Sequence, residues 1–245
     1  MAEEVVSSLP VKPAGRREEA RSYASDHLSS HPGTSLLKPW TLPARGLAVF
    51  HGAAETGRLS HYFLPRLLRQ GQRVLMLDGA NCADPRLLER LARQRGVPFA
   101  DFNRQIEIAR AFTCFQLTEL IARVPQFLAD FPAQVLIVTA FPELYYDEDV
   151  RDWHARVAFE RALASLQRWS VSPSVDGSGD RRMAVALFSS AATFMPSPAR
   201  QRFFEKTCAA ASEVWRFDVD ADADHRLKLV CTQSILRLKE VTSDE

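Results

Sequence analysis

The sequence has few cysteines, and their spacing does not indicate a structural site. The four cysteines are Cys82, Cys114, Cys208 and Cys231, and no two of them form a C-x-x-C pair. This spacing argues against the disulfide framework of a small secreted domain and against a zinc site with paired ligands. The thiols are therefore expected to be reduced, as in an intracellular protein.

The sequence also lacks a strong net charge and a long apolar run. Its 31 Lys and Arg residues against 30 Asp and Glu give a formal net charge of +1, so any contact with nucleic acid requires a local basic patch. No apolar stretch approaches the roughly 18 residues that span a membrane, and the first residues do not resemble a signal peptide. We therefore expect no membrane partner and an intracellular location: the cytoplasm or nucleoid in a prokaryote, the nucleus in a eukaryote.

Metal-ligand and catalytic patterns are missing as well. His51, His61 and His154 do not have the spacing of metal ligands. No Ser/His/Asp arrangement typical of nucleophilic catalysis stands out either. Four alternating aspartates over residues 218–224 suggest a calcium loop, but an EF-hand starting at Asp220 needs Gly at its sixth position and Glu at its twelfth. The sequence has His225 and Cys231 there. We predict a polar hairpin tip, no metal site and no catalytic residue.

The sequence does contain a glycine loop with the spacing of a phosphate site. Residues 52–59 match the G-x-x-x-x-G pattern of a Walker A loop and follow an apolar run. In a working loop, a Lys that neutralises phosphate charge and a Ser or Thr that holds Mg²⁺ come after the second glycine. Here Arg58 and Leu59 follow Gly57, and a leucine cannot ligate a metal. Taken alone, Gly52 and Gly57 are more typical of an ordinary turn.

Apolar runs alternate with amphipathic stretches from residue 47 onward. We predict a flexible arm over residues 1–32 and one core domain over residues 33–245. The predicted strands are Leu47–Phe50, Arg73–Leu77, Ile106–Phe112, Val135–Thr139 and Met183–Ser189, with a hairpin of Glu213–Val219 and Arg226–Thr232. The predicted helices are Ser60–Arg69, Pro85–Arg95, Gln116–Asp130 and Asp152–Trp169. Strands that are apolar throughout and alternate with helices predict an α/β fold whose parallel sheet is covered on both faces.

Several segments, taken in order, carry a family resemblance. The most specific is Ile108–Phe112, which reads I-A-R-A-F and is followed by Gln116-Leu117. The others are Arg73–Asp78 with Asp84–Leu88, Val135–Thr139 with Leu144-Tyr145, and Ala184–Ser190. Over about residues 34–240 the chain resembles the ATPase core shared by RecA, archaeal RadA and the eukaryotic strand-exchange recombinases. The resemblance implies a RecA-like P-loop fold with a mostly parallel central sheet and a C-terminal antiparallel hairpin.

The chain departs from this family at the residues that carry its chemistry. The family's water-polarising acidic residue corresponds to Ala80, and the Walker B aspartate that organises Mg²⁺ corresponds to Thr139. Arg58 and Leu59 add two further losses. Because phosphoryl transfer depends on Lys, Mg²⁺ and a positioned water, we predict a pseudo-ATPase that holds neither ATP nor Mg²⁺ as a cofactor.

In family members, two mobile loops contact DNA. The first corresponds to residues 141–152, which carry five acidic residues against one arginine and would repel phosphate. The second corresponds to about residues 191–206, where basic and aromatic side chains make it a candidate for single-stranded DNA, with Arg200, Arg202, Phe203 and Lys206 as its contacts. The alternative is an amphipathic helix over residues 198–210 with its phenylalanines in the core. A second basic set on the leucine-rich helix is better explained as a solvated face, and it comprises Arg86, Arg90, Arg93 and Arg95.

The resemblance implies a non-catalytic recombinase paralogue. Such a chain is expected to serve as an accessory subunit in homologous recombination or DNA repair, in a hetero-oligomer with another member of the family. Fold analogy alone does not establish this role. Two alternatives stay open: a switch protein that binds ATP without hydrolysing it, and a protein-only scaffold or regulator that makes no DNA contact.

Overall fold

The computed structural model describes residues 42–43, 45–52, 55–171, 183–219 and 227–234. The strands are β1 Gly46–His51, β2 Val74–Asp78, β3 Ile106–Arg110, β4 Val135–Thr139, β5 Ala184–Ser189, β6 Glu213–Val219 and β7 Leu227–Ser234. The helices are α1 Thr56–Leu59, α2 Leu64–Arg69, α3 Pro85–Gln94, α4 Phe99–Asn103, α5 Cys114–Ala122, α6 Val124–Asp130, α7 Asp152–Val171 and α8 Arg202–Ala210. Short 3-10 turns cover Ser60–Phe63, Glu143–Tyr146 and Ala191–Thr193. The predicted arm, residues 1–32, and the predicted hairpin tip, residues 220–225, lie outside the described residues.

The strands form one sheet in the order β3-β2-β4-β5-β1-β6-β7. Every neighbouring pair is parallel except β6 and β7, which are antiparallel. Strands β2, β4 and β5 are buried along their whole length, as expected for parallel strands covered on both faces. The predicted α/β class, the mostly parallel sheet and the C-terminal antiparallel pair are confirmed.

Two hydrophobic clusters lie on opposite faces of the sheet, because successive strand residues point to opposite sides. Leu47 and Val49 of β1 join the cluster that α5, α7 and α8 cover. Ala48 and Phe50 of the same strand join the cluster that α2 and α3 cover. Each helical layer therefore buries its own side of the sheet, and the carboxyl ends of the parallel strands meet at one edge.

The helices differ from the predicted ones in three places. The predicted helix over residues 60–69 is a 3-10 turn, Ser60–Phe63, followed by α2, and α1 directly precedes it. The predicted helix over residues 116–130 is two helices, α5 and α6, that meet at Arg123. Pro125 lies in the first turn of α6. Proline has no N–H to donate to a carbonyl of α5, and its ring would clash with the preceding turn if α5 continued through it. Helix α4 was not predicted. None of the helices within the described ranges combines the length and apolarity needed to cross a membrane.

Candidate functional site

A cleft opens at the carboxyl edge of the sheet, beside the strand where the connections change direction. From β1 the chain crosses to β2 on one side, and from β5 it crosses past β1 to β6 on the other. In open α/β sheets, ligands bind in the crevice at such a point. The cleft has a volume of about 520 Å³, which is within the range of small-molecule sites. Its walls are the segments that follow β1, β2, β4 and β5.

Both glycines of the predicted phosphate loop lie in close packing, which leaves no room for a Cβ at Gly57 and little at Gly52. A Cβ at Gly57 would lie 2.9 Å from the Cβ of Ala80 and 3.4 Å from that of Thr139. A Cβ at Gly52 would lie 3.1 Å from the Cβ of Phe217. The structure thus brings Gly57, Ala80 and Thr139 together at the base of the cleft. The two residues that follow Gly52 are outside the described part of the chain.

The carboxylate of Asp78, at the end of β2, organises the floor of the cleft. It is fully buried and accepts hydrogen bonds from the backbone N–H groups of Cys82 at 3.0 Å and Ala83 at 2.8 Å. The hydroxyl of Thr139 donates to the same carboxylate at 3.0 Å. The guanidinium of Arg110 lies 3.7 Å from it and donates to the Ala83 carbonyl. Asp78 therefore holds the loop after β2 against β3 and β4.

Two of the positions at which the sequence departs from the recombinase motifs have structural roles. Thr139 donates to Asp78 and also accepts from the backbone N–H of Ala80 at 3.1 Å, so its hydroxyl links β4 to the loop after β2. Leu59 packs against the apolar cluster beneath α2 and α3 and is not part of the cleft wall. Neither side chain presents a free oxygen to a ligand in the cleft.

The arginine at the Walker lysine position is bound by a carboxylate across the cleft. The Arg58 Nη2 atom lies 3.3 Å from Asp84 Oδ2, and the two side chains are 42% and 35% exposed. Asp84 is also the N-cap of α3, where its other oxygen accepts from the Arg86 N–H at 2.9 Å. The cap fixes Asp84 in position, and Asp84 in turn holds Arg58.

A second carboxylate, Glu143, lies in the wall of the cleft after β4. It is largely buried and accepts hydrogen bonds from the backbone N–H of Ser190 and, at 3.3 Å, from the hydroxyl of Ser189. Burial raises the pKa of the Glu143 carboxyl to about 7, although these hydrogen bonds favour the ionised form. No described residue forms an ion pair with it. Glu143 therefore accepts the hydrogen bond of the Ser190 N–H, the amide that follows β5 beside the cleft.

The charge of the cleft is unfavourable for a polyphosphate. Three acidic residues line it, Glu55, Asp84 and Glu143, against one arginine, Arg58, and of the three Glu143 is only partly ionised at neutral pH because its pKa is about 7. The thiol in the cleft belongs to Cys82, and burial together with the charge of Asp78 raises its pKa to about 12. Because the thiolate is the reactive form of cysteine, this thiol is not a nucleophile at neutral pH.

Reasoning from the sequence did not assign a role to the carboxylates of this site. Asp78 and Asp84 only bound segments that carry the family resemblance, and Glu143 is one of several acidic residues over 141–152. Asp84 does carry a signal, since Asp followed by Pro at a helix start is typical of an N-cap. No local pattern distinguishes Glu143 from its acidic neighbours in the sequence.

Arg200, one of the candidate DNA contacts, is enclosed by the segment that follows β4. It is 3% exposed, and its Nε atom donates to Asp152 at 2.6 Å. Its Nη atoms donate to the carbonyls of Tyr145, Asp147 and Val150. A guanidinium whose donors are used in this way is not presented to a phosphate. The placement removes Arg200 from the candidate DNA-contacting set and makes it a clamp on residues 145–152.

The remaining candidate DNA contacts divide between the core and the surface. Phe203 is 2% exposed and stacks on Phe159 with ring centroids 4.3 Å apart, so it also leaves the set, as the amphipathic-helix alternative expects. Arg202 and Lys206 are exposed, and each forms an ion pair with an acidic neighbour, Arg202 with Glu205 at 3.8 Å and Lys206 with Glu160 at 2.9 Å. The outer side of α8 is therefore close to neutral.

Comparison with known proteins does not supply a family for the chain. No protein-family model matches it, and no curated protein matches it significantly. Within the described residues, no group of three or more His, Cys, Asp and Glu side chains is arranged to hold a metal ion. The interpretation of the cleft therefore depends on its own geometry.

Proposed function

We propose that this protein is a non-catalytic paralogue of the RecA-type recombinases. It acts as an accessory subunit in homologous recombination or DNA repair and works through a hetero-oligomer with another recombinase-family protein. The segments that resemble the recombinase core support the family. The bonding in the cleft supports the loss of catalysis.

One observation carries the proposal: carboxylates in and beneath the cleft occupy hydrogen-bond donors that border it. Asp78 takes the amides of Cys82 and Ala83, and Asp84 takes the guanidinium of Arg58. Glu143 takes the amide of Ser190. A phosphate entering the cleft would have to displace these carboxylates while repelled by their charge.

The residues present do not fit MgATP. The position of the metal-binding hydroxyl is Leu59, which faces the apolar cluster. The Walker B position is Thr139, whose hydroxyl is used by Asp78 and Ala80. The position of the water-polarising carboxylate is the methyl of Ala80, packed on Gly57. Phosphoryl transfer has no metal ligand and no general base at these positions.

A nucleotide-binding switch is the second candidate, because Arg58 is partly exposed in a cleft large enough for a ligand. Calorimetric titration with MgATP and with MgADP separates the two functions. The accessory-subunit proposal expects no binding of either nucleotide at millimolar concentration. Tight binding that Arg58→Ala abolishes would establish the switch, and Arg66→Ala on α2 is the matched control.

The partnership is tested by affinity purification of the tagged full chain from its native cell. Nuclease treatment before capture removes partners that are bridged by DNA. We expect mass spectrometry to identify a catalytic recombinase that survives nuclease treatment. Recovery of the chain without any recombinase-family protein would contradict the accessory role and favour a scaffold of another kind.

A further inference from the structure

The charges of the chain are separated along the sequence although they nearly cancel overall. Residues 55–104, which form the helical layer of α1 to α4, contain nine arginines, no lysine and five acidic residues. Residues 105–171, which include α5 to α7, contain six arginines and nine acidic residues. The basic excess is therefore confined to one of the two helical layers.

Helices α2 and α3 present their arginines on one surface. Both cover the same apolar cluster, and α3 also packs against the 3-10 turn that leads into α2. Leucines of both helices point into that cluster, so the arginines between them point away from it. These are Arg66 and Arg69 of α2, Arg86, Arg90 and Arg93 of α3, and Arg95 directly after it. We call these six residues the α2–α3 arginine face.

Most of this face is not neutralised by acidic neighbours. Arg93 pairs with Glu89 at 2.7 Å while its side chain stays 76% exposed. The other five form no ion pair with any described residue. By contrast, Arg58 and Arg104 of the same layer are held by Asp84 and Asp101. Of these five, Arg69, Arg86 and Arg95 are exposed, whereas Arg66 and Arg90 are partly exposed. An unpaired guanidinium that reaches solvent is the group best suited to bidentate contact with a phosphate.

We propose that the α2–α3 arginine face binds the phosphate backbone of duplex DNA without sequence specificity. Single-stranded DNA is held by basic residues interleaved with exposed aromatic rings on which bases stack. Neither α2 nor α3 contains an aromatic residue, so the face supplies phosphate contacts and no stacking platform. The face is separate from α8, and the proposal does not depend on the recombinase partnership.

The test is fluorescence anisotropy of the full chain with a labelled random-sequence duplex of about 30 base pairs, titrated over a range of salt. If about five phosphates are neutralised, the logarithm of the binding constant falls with the logarithm of salt with a slope of roughly −4.5, which is about a 500-fold loss between about 50 and 200 mM. The triple variant R86E/R90E/R95E is expected to lower the slope to about −2 and to weaken low-salt binding by at least about tenfold. Single-stranded DNA of the same length is expected to bind more weakly than the duplex.

A matched control variant lies on the opposite side of the sheet. R151E/R156E/R161E reverses three exposed arginines in or next to α7 and changes the net charge by the same amount. It is expected to bind the duplex within about threefold of wild type, and circular dichroism is expected to show both variants folded. Equal losses in the two variants would overturn the proposal, because they would show a response to net charge alone.

Three further results would also overturn it. The first is the absence of wild-type binding at low salt, and the second is preferential binding of single-stranded DNA. The third is competition by polyglutamate as effective as competition by duplex, which would indicate an acidic protein partner. Loss of duplex binding would leave the affinity-purification result unaffected, so failure of this proposal is distinguishable from failure of the accessory role.

Discussion

Introducing an aspartate at position 139, where the recombinase resemblance expects one, is expected to damage this protein. Thr139→Asp places a second carboxylate beside Asp78, whose Oδ1 atom now lies 3.0 Å from the Thr139 hydroxyl. Asp78 is fully buried, and the substitution also removes one of its hydrogen-bond donors. Two like charges about 4 Å apart repel by about 4 kcal/mol at an effective dielectric constant of about 20. We expect the variant to lose about 3–4 kcal/mol of unfolding free energy near neutral pH.

Thr139→Asn separates the charge from the change of shape. Asparagine has the size of aspartate, and its amide can still donate to Asp78. We therefore expect it to lose only about 1 kcal/mol. The excess loss in Thr139→Asp is expected to shrink in mild acid, because two carboxyls in contact share a proton.

The assay is urea unfolding followed by tryptophan fluorescence, at neutral pH and in mild acid. The expected pattern is a large gap between the two variants at neutral pH and a small gap in acid. Equal stability of Thr139→Asp and Thr139→Asn at neutral pH would refute the placement of Asp78 beside residue 139.

Three other substitutions test neighbouring contacts. Because folding raises the pKa of Glu143 from 4.5 to about 7, the wild type should lose at most about 3 kcal/mol of unfolding free energy as pH rises through this range. Glu143→Gln should not show this loss. Identical pH profiles of the two proteins in urea unfolding would contradict this. Gly57→Ala should cost about 1–3 kcal/mol by overpacking against Ala80, and the double variant with Ala80→Gly should recover part of that loss in thermal melts; no recovery would count against the contact. Arg200→Met should open residues 145–152 to limited proteolysis and cost about 3 kcal/mol, whereas unchanged cleavage would show that the clamp is not needed.

The sheet could be predicted from the sequence because its signals are local. Strands β2, β4 and β5 are short apolar runs bounded by turn residues, and burial on both faces requires that composition. The antiparallel pair of β6 and β7 has a different local signal, two strand-like runs joined by the polar residues 220–225. The break between α5 and α6 depends on Pro125, a single residue within an apolar periodicity that continues over residues 116–130. Helix α4 is too short to carry a periodic signal.

The candidate site could be predicted only in part. The order of the segments that resemble the recombinase core indicates which residues belong to the site. Three of them, Gly57, Ala80 and Thr139, do meet at the base of the cleft. The bonds that fill it join residues as far apart as Asp78 and Thr139, or Glu143 and Ser190, and no local pattern encodes them. Arg200 shows the same limit, since its neighbours in sequence predict a basic surface while its partners lie about fifty residues away.

The central claim is that the cleft's backbone donors are already satisfied by its own carboxylates. Residue-resolved amide hydrogen exchange measures this directly at Cys82, Ala83 and Ser190. We predict slow exchange at all three amides in the free protein and no change when MgATP is added at millimolar concentration. Fast exchange that MgATP slows would contradict the account, because it would show that these donors are vacant and are used by a nucleotide.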